Sequence, residues 1–399
     1  MYKSFLSVLV ILLITYSCNT KTNEQIIEVQ ESPFKSSLTL GTRDTLFSKI
    51  LGEKRPIIIS LPNNYEKGKG NYPVLYLTDG NQNIWHALGT IEVLTRTGSM
   101  PPVIVVGIES LDRNRDFTPS ENKNDTESGG ANKYLNFMEK ELIPFIESNY
   151  RTHPFRVLEG HSMGGLFATY ALMEKPNLFD AHIIMSPSLW WNNEAYIKKA
   201  GTFFKSNPNL DNTLFFGIGT LESSENWGMR KELQKFIDEI TANKPKHLRF
   251  EHMEMKNEGH MSSPLLSNYY GLKSVFSDLT LPNDVVGNFN SKMFLNHENN
   301  IMLKYGSDAK QSAEGYVNLA FHLINKEKFS DAITVLKRSV EAYDYDIWLR
   351  KLLADTYEKN KQINKAIETY KKAIEISKKH KFKKESEFQT QINRLKNYK

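Results

Sequence analysis

Gly160-His161-Ser162-Met163-Gly164 sets a serine between two glycines in the pattern G-x-S-x-G. The apolar stretch Phe155-Arg156-Val157-Leu158 precedes it and Leu166 to Leu172 follows, so a strand is expected to run into a helix through a sharp turn. In that context Ser162 is a candidate nucleophile, because a strained turn lifts its hydroxyl off the sheet. Met163 then opens the helix, and its backbone N–H points to where an oxyanion would form. The bland alternative, a glycine-rich turn with an ordinary serine, accounts for the pattern but not for its flanks. A serine hydroxyl attacks an acyl carbon only with a base beside it and an acid orienting that base.

In a strand-elbow-helix architecture the partners follow in the order acid, then histidine. Thr213 to Gly219 reads as a buried strand and runs into Thr220-Leu221-Glu222. Met229 to Ala242 has apolar Leu233, Phe236, Ile237 and Ile240 at helical spacing. His247 to Glu254 alternates like a strand, and Asn257-Glu258-Gly259-His260 follows in a loop. Glu222 and His260 therefore each stand just past the C-terminal end of a strand, the edge at which open α/β sheets place their sites. Of the ten histidines, His260 alone follows both serine and acid with a glycine before it. His86 is the runner-up as base, and His161 is expected to point away from the pocket. Glu222 is taken as acid over Glu225, three residues on; Asp211 precedes its strand and would sit at the wrong edge.

From about residue 40 to 280, strands and helices alternate. An α/β fold with a mostly parallel sheet covered on both faces is expected. Several stretches resemble the putative-esterase family of α/β-hydrolases, which includes esterase D, enterochelin esterases and feruloyl esterases. They are Ser48 to Pro62, Tyr72 to Gly80 ending in Asp-Gly, Pro102 to Ile108 with Arg113 to Pro119, and Ser186-Pro187-Ser188-Leu189-Trp190-Trp191. The last is similar to the enterochelin-esterase branch. The resemblance implies Ser162 as nucleophile, His260 as base and Glu222 as acid, where many relatives carry aspartate. It also implies an oxyanion hole from the backbone N–H groups of Met163 and Asn81. Trp190 and Trp191 are either packing residues or an apolar wall for substrate. Arg113 and Arg115 are either solvated loop charges held by Asp112 and Asp116 or a lure for an anionic substrate.

No metal or other cofactor is expected: there is no H-E-x-x-H, and the single cysteine cannot build a thiolate zinc cluster. It excludes an intramolecular disulfide as well. Lys3 followed by the apolar run Phe5 to Ile14 reads as a signal segment too short to span a bilayer. Cys18 at its end resembles a lipobox cysteine, with Thr15 and Tyr16 departing from the usual residues. The expected organisation is a lipoprotein-type signal over 1–18, a flexible tether over 19–40, a hydrolase over 41–282, a linker over 283–310 and a helical domain over 311–399. Tyr316, Leu319, Ala320, Ala332 and Leu336 align with Arg350, Leu353, Ala354, Ala366 and Tyr370 at a 34-residue step, resembling tetratricopeptide repeats. Two repeats fall short of a free-standing array, so a cap by Lys384 to Tyr398 or docking on the hydrolase is expected.

The chain carries a net charge of +5, with basic residues outnumbering acidic ones 21 to 13 from residue 301 onward. Nucleic acid is not an expected partner, since no binding motif accompanies that charge. The expected protein is an exported, lipid-anchored serine esterase acting on a bulky small-molecule or glycan ester, such as a siderophore lactone or an acylated sugar, and its repeats would meet a protein partner. The alternatives are a scaffold working through its repeats and an acyltransferase with a sugar acceptor.

Overall fold

The computed structural model describes residues 39–63, 65–66, 68–122, 127–223 and 229–397. Cys18, the expected signal and tether up to residue 38, and Glu225 lie outside the described residues.

The central stretches of alternating inward and outward apolar residues become eight strands: β1 (Thr42–Ser48), β2 (Glu53–Ser60), β3 (Tyr72–Leu77), β4 (Ile104–Ile108), β5 (Thr152–His161), β6 (Ala181–Met185), β7 (Thr213–Gly219) and β8 (Arg249–Met255). They form one sheet in the order β1-β2-β4-β3-β5-β6-β7-β8. The pairs β1–β2 and β2–β4 are antiparallel, and every pair from β4 through β8 is parallel. β3, β4, β6 and β7 are buried along their whole length, as their near-continuous apolar runs require of parallel strands covered on both faces.

Among the described residues, eight α-helices belong to this sheet: α1 (Gly80–Arg96), α2 (Arg113–Phe117), α3 (Ala131–Phe137), α4 (Ile143–Asn149), α5 (Met163–Glu174), α6 (Trp191–Ser206), α7 (Met229–Ala242) and α8 (Ser263–Val275). Strand neighbours divide between the two faces as period-2 geometry demands. Tyr76, Val106, Leu158, Ile184 and Phe216 pack toward Phe137, Phe167 and Leu233. Leu75, Val105, Val157, Ile183 and Phe215 pack toward Ile84 of α1 and Leu272 of α8. The strand order reverses beside β3 and β5, so their carboxyl ends flank a switch point.

The expected linker over 283–310 is instead largely helical, as α9 (Asn283–Gly287) and α10 (Ser291–Tyr305). α10 is a strut. Its Phe294 is buried in the C-terminal helical core, while Ile301 and Tyr305 belong to the core of the sheet. The Tyr305 ring meets Phe155 and Phe276 edge-on at 4.9 and 5.1 Å. The stripe Phe294, Glu298, Ile301, Tyr305 has helical spacing, but a glutamate interrupts its apolar pattern. Buried Glu298 is satisfied by Gln311 Nε2 at 2.6 Å, Arg338 Nε at 3.0 Å and the Tyr316 hydroxyl.

Beyond it stand α11 (Ala313–Asn325), α12 (Phe329–Ala342), α13 (Ile347–Lys359), α14 (Ile363–His380) and α15 (Glu385–Lys396). Ala320, Ala332, Ala354 and Ala366 are completely buried where successive helices cross. Arg350, which replaces an aromatic in the repeat pattern, donates to the carbonyls of Val340 and Asp344 at 3.3 and 2.7 Å. α15 closes the stack with Phe388, Ile392 and Leu395.

Candidate active site

The turn between β5 and α5 holds Ser162 at φ 61° and ψ −116°, a conformation that non-glycine residues seldom adopt. The surroundings over-determine it. The Ser162 N–H donates to Met185 O at 2.9 Å, and its carbonyl accepts from the N–H groups of Leu166 and Ser188 at 3.0 and 3.1 Å. A Cβ at Gly160 would lie 2.1 Å from the carbonyl oxygen of Gly164, so the elbow closes only with glycine there.

The turn after β3 is shaped in the same way. Asp79 takes a left-handed conformation, and its carbonyl accepts from Gln82 and Asn83 N–H as α1 begins. Among the described residues neither the Asn81 nor the Met163 N–H has an acceptor in the protein. Both belong to the first turns of helices that start at the carboxyl edge of the sheet. Free amides at helix N-termini suit a developing negative charge.

His260 Nδ1 lies 2.8 Å from Glu222 Oε2. The other carboxylate oxygen of Glu222 accepts from Gly219 N–H at 2.8 Å, Ser186 Oγ at 2.6 Å and Ser263 Oγ at 3.3 Å. Burial opposes ionisation of Glu222, but the bonds from His260, Ser186 and Gly219 together outweigh it and hold its pKa below the usual carboxylate value. The His260 ring stands 4.5 Å from that of His161, the residue before Ser162. No hydrogen bond within 3.5 Å joins Ser162 Oγ to the His260 ring; such bonds commonly tighten only when substrate binds.

Some expectations need correction. His161 does not point away: its ring backs His260, and burial first, then the neighbouring imidazole, pushes its pKa down to about 3, so it stays neutral. Arg113 is not a free loop charge: its side chain is partly exposed, but its fork holds Asp79 through Nε to Oδ1 at 2.9 Å and Nη2 to Oδ2 at 3.1 Å. A buried carboxylate must find a counter-charge, and Arg113 supplies it. Arg115 does pair with Asp116, as expected from the sequence, and with Glu53 as well. Trp191 is buried and donates to Ser120 O at 3.3 Å, so it packs in the core rather than forming a wall. Trp190 is half-buried against it. His86 makes no hydrogen bond to Ser162 or to a carboxylate among the described residues, and burial lowers its pKa.

Other contributors escaped sequence reasoning. Ser186 and Ser263 hold Glu222; Ser186 opens the Ser-Pro-Ser-Leu-Trp-Trp stretch, but nothing in that motif marks it as a partner of the acid, and Ser263 stands in no motif. Exposed Trp85, Leu111, Leu221, Met261 and Leu265 follow the carboxyl ends of β3, β4, β7 and β8, and so rim the edge that carries Ser162. Apolar residues in the segments that leave the carboxyl ends of strands were the available signal. Among the described residues no group of three or more His, Cys, Asp or Glu is arranged to hold a metal.

A sheet in this order, with a serine elbow at its carboxyl edge, is that of an α/β-hydrolase. Residues 48–260 match the putative esterase family, and the chain belongs to it: the protein is a carboxylic ester hydrolase. Residues 352–380 match a tetratricopeptide repeat. A ferri-bacillibactin esterase of Bacillus subtilis is 32% identical over 231 residues, 52% of this chain and 79% of the relative. A siderophore enterobactin esterase of Emericella nidulans is 34% identical over 159 residues, 32% of this chain and 50% of the relative. Among solved structures, an IroE-like serine hydrolase from Shewanella oneidensis superposes with a TM-score of 0.63 at 26% identity, covering 75% of this chain and 99% of its own. A protein from Capnocytophaga ochracea reaches the same TM-score at 18% identity over 89% of this chain and 99% of its own, a likeness of fold alone.

Proposed function

We propose that the protein is an exported serine esterase in which Ser162, His260 and Glu222 work as a triad on a bulky ester, with siderophore lactones and acylated sugars as the substrate classes. The observation that carries this reading is the 2.8 Å bond between His260 and Glu222, set beside an elbow whose serine backbone is strained. Glu222 holds the imidazole with Nδ1 protonated, which leaves Nε2 to take the Ser162 proton as the hydroxyl attacks the acyl carbon. The amides of Met163 and Asn81 receive the oxyanion, a role worth about 2.7–4 kcal/mol of barrier per donor. His260 then protonates the leaving alkoxide, and water repeats the sequence on the acyl-enzyme.

The apolar rim of Trp85, Leu111, Leu221, Met261 and Leu265 supports a large, partly apolar substrate. The names of the Bacillus and Emericella relatives support a siderophore ester in particular. The reading is tested by labelling the full chain with a fluorophosphonate and by comparing turnover of catecholate lactones, feruloyl sugars and short nitrophenyl esters. Labelling that persists in Ser162→Ala overturns the nucleophile, and equally feeble turnover on all three classes overturns the substrate.

The proposal includes lipidation at Cys18, which Cys18→Ala should abolish, moving the chain from the membrane to the soluble fraction. It also includes a protein partner for the repeats. A groove of about 520 Å³ between α11 and α13, lined by Phe321, Trp348, Leu349 and Leu352, supports that role.

A further inference from the structure

The two amides that would receive the oxyanion lie on separate turns, one after β3 and one after β5. An oxyanion hole works only when its donors hold a fixed spacing before charge develops, because reorganising them during the reaction would use up the benefit. What holds these turns together is therefore a functional question. Part of the answer is backbone: Thr78 N–H and Oγ1 both donate to Glu159 O, at 3.0 and 3.1 Å. That tie lies on the sheet side. On the cleft side the tie is one side chain from a third strand's loop.

Arg113, in α2 after β4, reaches both turns. Its Nε and Nη2 fork onto the two oxygens of Asp79, the left-handed residue immediately before Gly80-Asn81. The same Nη2 lies 3.4 Å from His161 O, the carbonyl immediately before Ser162-Met163. Ser110 Oγ adds a 2.6 Å bond to Asp79 Oδ1, so the carboxylate is fixed from two directions. The side chain of Asp79 is 4% exposed and that of Arg113 is 40% exposed, which places a buried carboxylate under a guanidinium at the cleft.

Building on the triad reading above, we propose that Arg113 is a positioning residue that clamps the two halves of the oxyanion hole, rather than a contact for the substrate. The planar fork is what the task requires. A lysine would supply one point charge, and could not bind both Asp79 oxygens in plane while touching a third acceptor. Because Asp79 neutralises it, the guanidinium offers little net attraction to an anionic ester. Its loss therefore falls on transition-state stabilisation, and does so whatever the charge of the substrate.

The test uses the full chain with Arg113→Lys and Arg113→Ala, assayed on one neutral and one anionic ester of the same acyl group. The clamp predicts that kcat falls by about 10–100-fold on both esters, part of the 10²–10³-fold loss on removing one donor outright, while KM changes less than about threefold. The affinity of an aryl boronic acid, which mimics the tetrahedral adduct, should fall by the same factor as kcat/KM. Added guanidinium should restore part of the activity of Arg113→Ala and none to Arg113→Lys, and a merely structural defect would not respond in this way.

A loss confined to KM for the anionic ester overturns the clamp in favour of substrate binding. Unchanged kcat in Arg113→Lys, with intact thermal melting, overturns it as well. Fluorophosphonate labelling to completion separates the two levels of inference. Labelled Ser162 with unaltered kinetics in the variants sinks the clamp alone, whereas an unlabelled native protein sinks the triad reading and the clamp with it.

Discussion

The carboxyl edge of the sheet and the helices α11 to α15 are ordered by different forces. At the edge, position is set by hydrogen bonds: four donors converge on Glu222, and three bonds hold the strained backbone of Ser162. In the helical module, position is set by volume, with completely buried alanines at 320, 332, 354, 366 and 373 letting neighbouring helices approach closely. A site held by polar atoms should fail when an atom changes and shape is kept, since a buried group left unpaired is costly. A stack held by volume should fail when shape changes, whatever the chemistry. α10 belongs to both regimes, with Tyr305 filling the sheet core and Glu298 collecting bonds from the repeats.

The largest expected effect is that of Ser162→Ala, which should lower kcat on any ester substrate by about 10⁴–10⁶-fold. Thermal melting should show the variant no less stable, because alanine in the same turn loses only the hydroxyl. Glu222→Gln keeps the volume and should still cost about 10⁴-fold in kcat by misorienting His260. Because the pKa of Glu222 is depressed in the folded chain, its contribution to stability is present above the ordinary carboxylate pKa and is lost as pH falls through the folded value. Acid titration of the Gln variant should lack that component; retention of full activity would dissolve the contrast between edge and module.

Tyr305→Ala should leave kcat near the native value and lower stability by about 3–5 kcal/mol, as for other large aromatic truncations. Urea denaturation followed in parallel with activity checks this, and a kcat loss at full folding would show the strut to be coupled to the site. The smallest of the four concerns Glu159, fully buried on β5, both of whose oxygens accept from Asn268 Nδ2 at 2.8 Å. Burial raises its pKa to about 7, against the opposing bond from Asn268. The native chain thus retains a proton that the unfolded chain gives up near its ordinary pKa. The resulting stability is complete below that ordinary value and is lost as pH rises through about 7. Glu159→Gln should remove this slope and be more stable than the native chain at pH 8 by about 3 kcal/mol. Denaturation at pH 5 and pH 8 reads the difference, and parallel profiles for the two proteins would refute it.

Much of this was legible where one short stretch carries its own signal. G-x-S-x-G between a strand and a helix marks Ser162 because Gly160 is forced by contact with Gly164 within the turn itself, whereas Gly164 is forced by Thr78, which follows β3. The apolar run Thr213 to Gly219 reads as a buried strand, and β7 over those residues is buried along its whole length. The segment 283–310 was misread because Glu298 breaks the apolar stripe of α10, and its partners Gln311, Tyr316 and Arg338 lie 13 to 40 residues away. The partner of Arg113 was missed for the same reason: Asp79 is 34 residues distant, while Asp112 and Asp116 stand beside it in the chain.

The amino-acid order alone determined which residues turn, which alternate and which repeat, because backbone strain and periodicity are settled among near neighbours. The tertiary structure decided which charge meets which. Whether a guanidinium is solvated, a tryptophan exposed or a glutamate buried depends on strands that arrive from far along the chain, and the dielectric and the donors they bring are properties of the assembled edge.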